Sequence, residues 1–421
     1  MGNDVWINKR FDRCAELIRE TVNPKELINV PYIGLEHIAQ ESLCLVGCGS
    51  SGDVNSAKFR FKKGDILFGK LRPYFRKVII APFDGVCSTD IWVIRSKPET
   101  DQRFLFYCIA SKEFVEESTR SSEGTRMPRA QWEFVSRIEK LMPQQLEQRA
   151  IGNILGALDN KIELNRQMCK TLEDTAQAIF KSWFVDFDPV HAKAAGKQPV
   201  GLKPEIAALF PDSFVDSELG EIPKGWRVTG LDSLGTFLNG LALQKYPPLN
   251  DDSLPVVKIA QLRTNDTTNS DRASANIGSE YIVNDGDILF SWSGSLECVI
   301  WFGGAGALNQ HLFRVTSAQY SKWFLYMWIH RHLPEFRHIA AGKATTMGHI
   351  QRHHLEDAKV LVPPTDLLSM QDQIMEPLID AIVSRSLENR KLTDLRDTLL
   401  PKLISGELRV KDAERIAGRS V

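Results

Sequence analysis

The residues best suited to do chemistry lie between Lys58 and Lys77, in the stretch KFRFKKGDILFGKLRPYFRK. This stretch contains eight Lys or Arg residues and one acid, Asp65, and aromatic rings are interleaved with the charges. Basic side chains beside aromatic rings suit contacts with the phosphates and bases of a nucleic acid. The alternative is a charged sheet edge that is protected from aggregation, and composition alone leaves both interpretations open.

Sequence signatures of catalysis are missing. The chain has no GxxxxGK[ST] phosphate loop and no Asn-Pro-Pro-Tyr or Asp-Pro-Pro-Tyr motif that would hold a target adenine. Gly303-Gly304-Ala305-Gly306 lacks the spacing and βαβ setting of a dinucleotide fingerprint, so a turn between strands is favoured. The chain is therefore expected to bind and not to catalyse.

Seven of the nine histidines fall between His311 and His354. A metal site needs a convergent set of ligands, and no Cys or carboxylate partners stand at ligand spacing beside these histidines. Histidines that face the surface or DNA are the favoured interpretation, and no metal site is expected.

Three blocks of the first half recur in the same order in the second half. Pro31–Leu35 resembles Pro255–Ile259 at an offset of 224, and the letters GDILF at 64–68 return unchanged at 286–290. Thr125, Met127, Gln131, Leu141 and Pro143 match residues 220 positions later. So long a period indicates a duplicated domain with its helix, because solenoid repeats are only about 20 to 50 residues long.

The loops that follow these shared blocks differ between the halves. Arg120, Arg126 and Arg129 form a second basic cluster in the first half. The corresponding loop of the second half, 342–347, is followed by His349 and Arg352, and the segment after the second GDILF, 291–295, carries no basic residue. Matched frameworks with different loops are what a reader of two unlike half-sites would need.

Two long helices are predicted to position these loops. Apolar or small residues recur at alternating spacings of four and three from Ile151 to Trp183, interrupted by Asn165. A helix over 151–187 would be about 55 Å long and would need a partner to cover its apolar seam. The natural partner is its duplicate near 366–407, in antiparallel orientation, with Pro401 expected to end or kink it.

Asn165 and Asn389 occupy equivalent positions of the two predicted helices. In one interpretation both face the core and fix the register of the pair at a cost in stability. In the other interpretation both cap the helices or face solvent, and the sequence leaves the two interpretations open. Between the basic loops, the apolar positions of 103–115 predict one further helix, and short apolar runs predict strands around it, in a mixed α/β globule.

Composition places the chain among soluble proteins of two or three domains. It has 421 residues, 43% of them hydrophobic and 25% charged, and a net charge of −1. No run of about 18 apolar residues predicts a membrane span, and the charged N-terminus is unlike a signal peptide. Seven scattered cysteines without a CxxC pair favour a reduced, cytoplasmic location.

In its ordered motifs the chain resembles the specificity (S) subunits of type I restriction-modification systems. The resemblance covers essentially the whole chain. The matching motifs are the two GDILF strands, Glu147-Gln148-Arg149-Ala150-Ile151, Leu158-Asp159-x-x-Ile162, Ala178–Phe187 (AIFKSWFVDF), Pro223-x-Gly225-Trp226 and Leu399–Leu408 (LLPKLISGEL).

The resemblance implies a non-catalytic subunit with two target-recognition domains, each reading one part of a split, asymmetric sequence in double-stranded DNA. It implies that the helices set the spacer and dock two methyltransferase subunits, with two restriction/translocase subunits joining the complex. S-adenosylmethionine, ATP and Mg²⁺ are then expected on those partners and no cofactor on this chain. The methyltransferase subunits would flip the target adenine out of the duplex.

The fold class expected from these arguments is a mixed α+β target-recognition domain in two tandem copies, separated by two long antiparallel coiled-coil helices and related by pseudo-twofold duplication. The expected segments are recognition domain 1 (1–143), the central helix (144–188), a connector (189–220), recognition domain 2 (221–363), and the C-terminal helix with its tail (364–421).

The candidate DNA contacts come from the basic stretch, the arginine cluster and the second-half loops. They are Lys62, Lys63, Lys70, Arg72, Tyr74, Arg76, Lys77, Arg120, Arg126, Arg129, Lys245, Arg263, Ser291, Trp292, Ser293, Lys343, Thr345, Thr346, His349 and Arg352. The residues expected to pair the helices are Ile151, Leu155, Leu158, Ile162, Asn165, Leu172, Ile179, Ile379, Ile382, Asn389, Leu395 and Leu399.

Two other functions stay open at the level of the sequence. One is a self-sufficient DNA nuclease or methyltransferase with unrecognised catalytic residues, which turnover by the purified chain would reveal. The other is a coiled-coil interaction scaffold without a DNA role, which would show no salt-dependent DNA binding.

Overall fold

The computed structural model describes residues 6–122, 126–248, 252–342 and 348–418. The strands are β1 Ile7–Arg10, β2 Ala15–Ile18, β3 Thr21–Val22, β4 Pro31–Ile33, β5 Gly49–Ser50, β6 Lys58–Phe61, β7 Ile66–Gly69, β8 Val78–Ile80, β9 Gly85–Cys87, β10 Ile91–Ser96, β11 Glu139–Met142, β12 Phe214–Ser217, β13 Gly220–Pro223, β14 Arg227–Gly230, β15 Thr236–Asn239, β16 Ser253–Val257, β17 Arg272–Ser274, β18 Ile282–Val283, β19 Ile288–Ser291, β20 Cys298–Ile300, β21 Gly306–Leu308, β22 Leu312–Thr316 and β23 Lys359–Val362.

The α-helices are α1 Phe11–Cys14, α2 Gln102–Ala110, α3 Lys112–Arg120, α4 Trp132–Val135, α5 Gln145–Phe184, α6 Asp188–Ala194, α7 Pro204–Leu209, α8 Ile259–Thr264, α9 Lys322–Ala341, α10 Arg352–Asp357, α11 Thr365–Ile404 and α12 Val410–Ala417. Short 3₁₀ turns lie at Pro24–Glu26, Leu35–His37, Ser51–Asp53, Pro73–Phe75, Leu231–Leu234, Leu243–Lys245 and Ser279–Tyr281.

The chain divides into two compact units, of which unit 1 is built from two separate stretches of sequence and unit 2 from one continuous stretch. Unit 1 comprises Met1–Ile162 and Lys391–Val421, and unit 2 comprises Glu163–Arg390. Each unit therefore contains part of α5 and part of α11. The segment 189–220, predicted to be a connector, contains most of α6 and all of α7 and β12, and β13, which pairs with β12, begins at its last residue.

The two units repeat one sheet topology. In unit 1 one sheet has the order β2-β10-β7-β8, and in unit 2 the corresponding sheet has the order β15-β22-β19-β20. A second sheet contains the parallel pair β4–β9 in unit 1 and the parallel pair β16–β21 in unit 2. The mixed α/β fold and the internal duplication expected from the sequence are thus confirmed.

The GDILF motif builds the same turn in both units. Gly64 has φ +90° and Gly286 has φ +87°, a left-handed conformation that glycine adopts without steric cost. The following aspartate accepts a bond from the backbone N–H three residues before it, Lys62 to Asp65 and Asn284 to Asp287, each at 2.8 Å. The motif therefore fixes how β7 and β19 begin.

Each of these aspartates is also anchored by an arginine of the neighbouring strand. Arg95 donates from Nε and Nη2 to the buried Asp65, with both distances 2.8 Å. In unit 2, Arg314 Nε lies 3.0 Å from Asp287 Oδ2. Pairing a buried carboxylate in this way offsets the cost of taking its charge out of water.

The long helices pack against each other within each unit. In unit 1, Asp159 of α5 accepts a bond from Arg396 of α11 at 2.8 Å, inside the apolar cluster that contains Leu158 and Leu399. In unit 2, Asn165 donates to Asn389 at 3.0 Å, and Cys169 lies 3.8 Å from Ser386. Partner numbers fall along α11 as they rise along α5, so the helices are antiparallel.

Asn165 is fully buried and contacts Asn389 and also Glu388, at 2.9 Å. Of the two interpretations that the sequence left open, the core-facing one describes this position. The other residues expected to pair the helices are buried or partly buried in the apolar clusters of their own unit: Ile151, Leu155, Leu158, Ile162, Leu395 and Leu399 in unit 1, and Leu172, Ile179, Ile379 and Ile382 in unit 2.

Two helix boundaries differ from the sequence expectation. The predicted helix at 103–115 is two helices, because Ser111 ends α2 with an extended backbone and its hydroxyl caps α3 by accepting from Phe114 N–H at 3.2 Å. Pro401 does not end α11, which runs on to Ile404. A proline close to a helix end removes a single backbone hydrogen bond, which the surrounding packing can offset.

Candidate nucleic-acid interface

In unit 1 three segments that are far apart in sequence meet beyond the end of β7. Leu71 pairs with Arg129 in antiparallel register, Ala130 N–H donates to the Lys70 carbonyl at 2.9 Å, and Arg72 N–H donates to the Pro128 carbonyl at 2.8 Å. Lys70 N–H donates to the Asp90 carbonyl at 2.9 Å. We call residues 70–72, 90 and 128–130 the loop junction of unit 1.

The same backbone arrangement recurs beyond β19 in unit 2. Ser293 pairs with His349, Ile350 N–H donates to the Trp292 carbonyl at 2.9 Å, and Gly294 N–H donates to the Gly348 carbonyl at 2.7 Å. Trp292 N–H donates to the His311 carbonyl at 3.3 Å. Residues 292–294, 311 and 348–350 are the loop junction of unit 2, and they match unit 1 bond for bond.

In the unit 1 junction the side chains are charged. Arg129 binds Asp90 through two bonds, Nε to Oδ1 at 2.8 Å and Nη2 to Oδ2 at 3.2 Å, and the hydrogen-bonded carboxylate raises the pKa of the guanidinium. Burial lowers the pKa of Lys70, and the nearby Asp90 opposes that shift. Basic groups beside one acid suit contact with a polyanion or with base edges.

In the unit 2 junction the side chains are mostly aromatic. The ring of Trp292 has its centroid 5.7 Å from that of His311 and 6.4 Å from that of His349. The indole N–H of Trp292 donates to Asn239 Oδ1 at 2.8 Å, and Ser293 Oγ lies 2.9 Å from His311 Nδ1. This junction favours stacking and neutral hydrogen bonding.

The structure brings several of the predicted contacts of unit 1 to one region. Lys70, Arg72 and Arg129 belong to the junction, and the exposed Arg126 lies two residues before Pro128. Tyr74, two residues after Arg72, and Arg120 line a groove that Glu41 and Glu116 also line. Lys62 and Lys63 are exposed in the GDILF turn, at the opposite end of β7 from the junction.

Arg76 and Lys77 differ from the expectation that they contact DNA. Arg76 is buried, with Nε donating to the Ala110 carbonyl at 2.7 Å and Nη1 lying 3.3 Å from Glu41. Lys77 is half-buried and donates to the Leu35 carbonyl at 2.6 Å. Composition indicated two solvent-facing charges, but Arg76 and Lys77 bond backbone carbonyls of their own unit.

In unit 2 the predicted contacts are more dispersed. Trp292, Ser293 and His349 belong to the junction, whereas Ser291 is buried and its hydroxyl bonds the backbone of 295 and 297, so Ser291 is not presented to a ligand. Arg352 is exposed at the start of α10. Lys245 and Arg263 are exposed elsewhere, at the ends of a 3₁₀ turn and of α8. Lys343, Thr345 and Thr346 lie outside the described residues.

Asp90 and His311 complete the junctions but were not predicted from the sequence. Asp90 directly precedes Ile91, the first residue of β10, and His311 directly precedes Leu312, the first residue of β22. Ile91 pairs with Gly69, and Leu312 pairs with the equivalent residue Ser291. The strand register and the matching backbone bonds reveal that Asp90 and His311 are equivalent, which the sequence does not show because neither lies in a repeated block.

Two histidines outside the junction, His330 and His332, are held against backbone carbonyls. His330 Nε2 lies 3.0 Å from the Cys298 carbonyl, His332 Nε2 lies 2.9 Å from the Lys359 carbonyl, and burial lowers the pKa of both imidazoles. Among the residues that the structure describes, no group of three or more His, Cys, Asp or Glu side chains converges as a metal site. Within the same ranges, none of the helices combines the length and apolarity needed to cross a membrane.

Comparison with known proteins agrees with the duplication. The family model of the type I restriction modification DNA specificity domain matches the chain twice, over residues 14–174 and 223–395. The two matches cover most of the chain, one on each side of the segment around α6 and α7.

Similar proteins of known type extend over nearly the whole chain. The HindI specificity subunit of Haemophilus influenzae is 28% identical, over 96% of this chain and 97% of its own length. The MjaIX specificity subunit of Methanocaldococcus jannaschii is 27% identical, over 93% of this chain and 87% of its own. A crystal structure of a type I restriction-modification S subunit from M. genitalium aligns over 96% of this chain and 97% of its own, with a TM-score of 0.56 and 15% identity, and supports the fold. With both family matches and these full-length relatives, the chain belongs to the type I restriction-modification DNA specificity subunits.

Proposed function

We propose that this chain reads a two-part, asymmetric DNA target, one part with each unit, for a type I restriction-modification complex. The observation that carries the proposal is the pair of loop junctions, which have the same backbone bonds and different side chains. Because the backbone bonds are the same and the side chains differ, each unit would approach a duplex in the same way but prefer different bases.

The long helices α5 and α11 would contribute to DNA recognition both as a spacer and as a docking surface. In this proposal the long helices set the spacer between the two half-sites and offer a docking surface for two methyltransferase subunits. Two restriction/translocase subunits would join the same complex. S-adenosylmethionine, ATP and Mg²⁺ belong to the partners in this proposal, and the chain contributes DNA recognition.

Methyl transfer in a reconstituted complex tests this proposal. The chain, its cognate methyltransferase subunits, or both are incubated with unmethylated DNA and labelled S-adenosylmethionine. Site-specific incorporation is expected only when both are present. Incorporation or DNA cleavage by the chain alone would make it an enzyme, and incorporation by the methyltransferase subunits alone at the same sites would remove its role as the reader.

Salt dependence separates a DNA reader from a protein scaffold. The affinity of the complex for a target duplex is expected to fall steeply as salt rises, because bound phosphates release counterions. A scrambled duplex of equal length is the control, and it should bind more weakly at every salt concentration. A flat salt response for both duplexes would favour a scaffold without a DNA role.

A further inference from the structure

The two junctions place different chemistry at equivalent backbone positions. Strand register and the backbone bonds match Asp90 with His311, and Arg129 with His349. The Arg129–Asp90 pair of unit 1 therefore has two imidazoles as its counterpart in unit 2. A difference this local, on a shared framework, is suited to determine which base each unit accepts.

The geometry of Arg129 leaves one defined edge for a ligand. Asp90 takes Nε and one hydrogen of Nη2, which holds the guanidinium plane in one orientation. The second edge of the fork consists of Nη1 and the other hydrogen of Nη2. The side chain of Arg129 is 43% exposed, so this edge can be reached from solvent.

That edge has a specific complement among the bases. Two parallel N–H donors match O6 and N7 of guanine in the major groove, and no other base presents two acceptors there in the same geometry. An arginine already held by a carboxylate also loses less side-chain freedom on binding than a free one. Lysine keeps the charge but lacks the planar fork.

Unit 2 has no such fork at its junction. His349 stands at the position of Arg129, and the indole N–H of Trp292 is already used by Asn239. An imidazole offers one nitrogen on each side of its ring and cannot make the paired contact. The two junctions therefore differ in the contact that most strongly selects guanine.

We propose that Arg129, held in place by Asp90, reads one guanine in the half-site contacted by unit 1. The inference rests on the proposed function and adds to it the base, the reading residue and the positioning residue. Arg129 touches the base, and Asp90 acts through Arg129.

The experiment compares methylation motifs obtained with wild-type chain and with Arg129→Lys, each expressed with its methyltransferase subunits in a host free of other methylation. Relative methylation of sites that differ at a single position is the readout. The wild type should require guanine at one position of one half-site. In Arg129→Lys the preference for guanine at that position should fall by about 10- to 100-fold, with the other half-site unchanged.

His349→Ala provides the matched control at the equivalent position of unit 2. It should leave the guanine preference intact, and any change in specificity should fall in the other half-site. Asp90→Asn is the second test variant, which keeps the shape of the side chain and removes its charge. It should weaken the same guanine preference as Arg129→Lys, an effect that a purely structural role would not confine to one base position.

The outcomes separate the inference from the proposed function. Unchanged base preferences in both unit 1 variants would overturn the inference, and so would an equal loss at all sequences, which indicates a phosphate contact. In either case a two-part wild-type motif would leave the proposed function standing. If wild-type complex shows no two-part motif, the proposed function itself fails. If Arg129→Lys does not assemble, the Asp90→Asn motif decides the inference.

Discussion

Replacing Asp159 with alanine should destabilise unit 1 through a buried charge on the partner helix. Arg396 is 2% exposed, and its Nη1 donates to Asp159 at 2.8 Å. The other carboxylate oxygen of Asp159 accepts a short bond from the hydroxyl of Tyr107, whose pKa is raised first by burial and then by this carboxylate. Asp159→Ala removes both contacts at once.

The magnitude follows from what the substitution leaves behind. Removing one partner of a fully buried pair costs about 3 to 5 kcal/mol. Asp159 is itself 25% exposed, and Arg396 keeps a bond to Asp397 at 2.9 Å, so part of the charge stays compensated. The free energy of unfolding of unit 1 should therefore fall by about 2 to 4 kcal/mol.

Urea denaturation followed by circular dichroism measures the loss. Hydrogen exchange of peptides from the unit 1 parts of the long helices, 145–162 of α5 and 391–404 of α11, assigns it to unit 1. Asp412→Ala is the control, because Asp412 forms an exposed pair with Arg415 whose removal should cost less than about 1 kcal/mol. Equal stability of the two variants would refute the reasoning, since the Asp159 pair would then be screened by solvent like a surface pair.

Three further predictions concern stability. Asn165→Ala should lower the free energy of unfolding by about 1 to 3 kcal/mol because it removes the bonds from Asn165 to Asn389 and Glu388, whereas leucine at both 165 and 389 should raise it. Denaturation of the single and double variants checks the opposite signs. Unit 2 should lose stability as pH falls below about 6.5, because the folded state lowers the pKa of His330 and His332 and the unfolded chain therefore binds protons at a higher pH. The melting temperature should depend less on pH when both histidines are replaced by glutamine. Gly286→Ala should cost about 1 to 2 kcal/mol through its left-handed backbone, and an equal melting temperature would contradict that.

The duplication and the pair of long helices could be predicted from the sequence, because both depend on repeated motifs and on the regular spacing of apolar residues. The GDILF repeat and the heptad spacing come from period and identity alone, and the structure adds the chemical reason for the motif in the bonds of Asp65 and Asp287. The same spacing left open whether Asn165 faces the core or solvent, and the structure shows it buried.

Tertiary contacts account for what the sequence did not supply. A run of basic residues indicates charge but not direction, and Arg76 turns inward because its Nε reaches the buried Ala110 carbonyl and its Nη1 reaches the carboxylate of Glu41. Asp90 and His311 became candidates only once strand pairing placed them beside Arg129 and Ser293. Long-range pairing of this kind leaves no periodic signal in the sequence.

The most direct test of the central claim is the methylation pattern that the chain imposes on genomic DNA. Long-read sequencing of a methylation-free host that expresses the chain with its methyltransferase subunits reports every modified adenine. We expect one motif made of two unlike, specific parts separated by a fixed number of unread bases. A continuous motif, a palindromic motif with identical halves, or a pattern that persists when the chain is omitted would contradict the claim that two related units read two different half-sites.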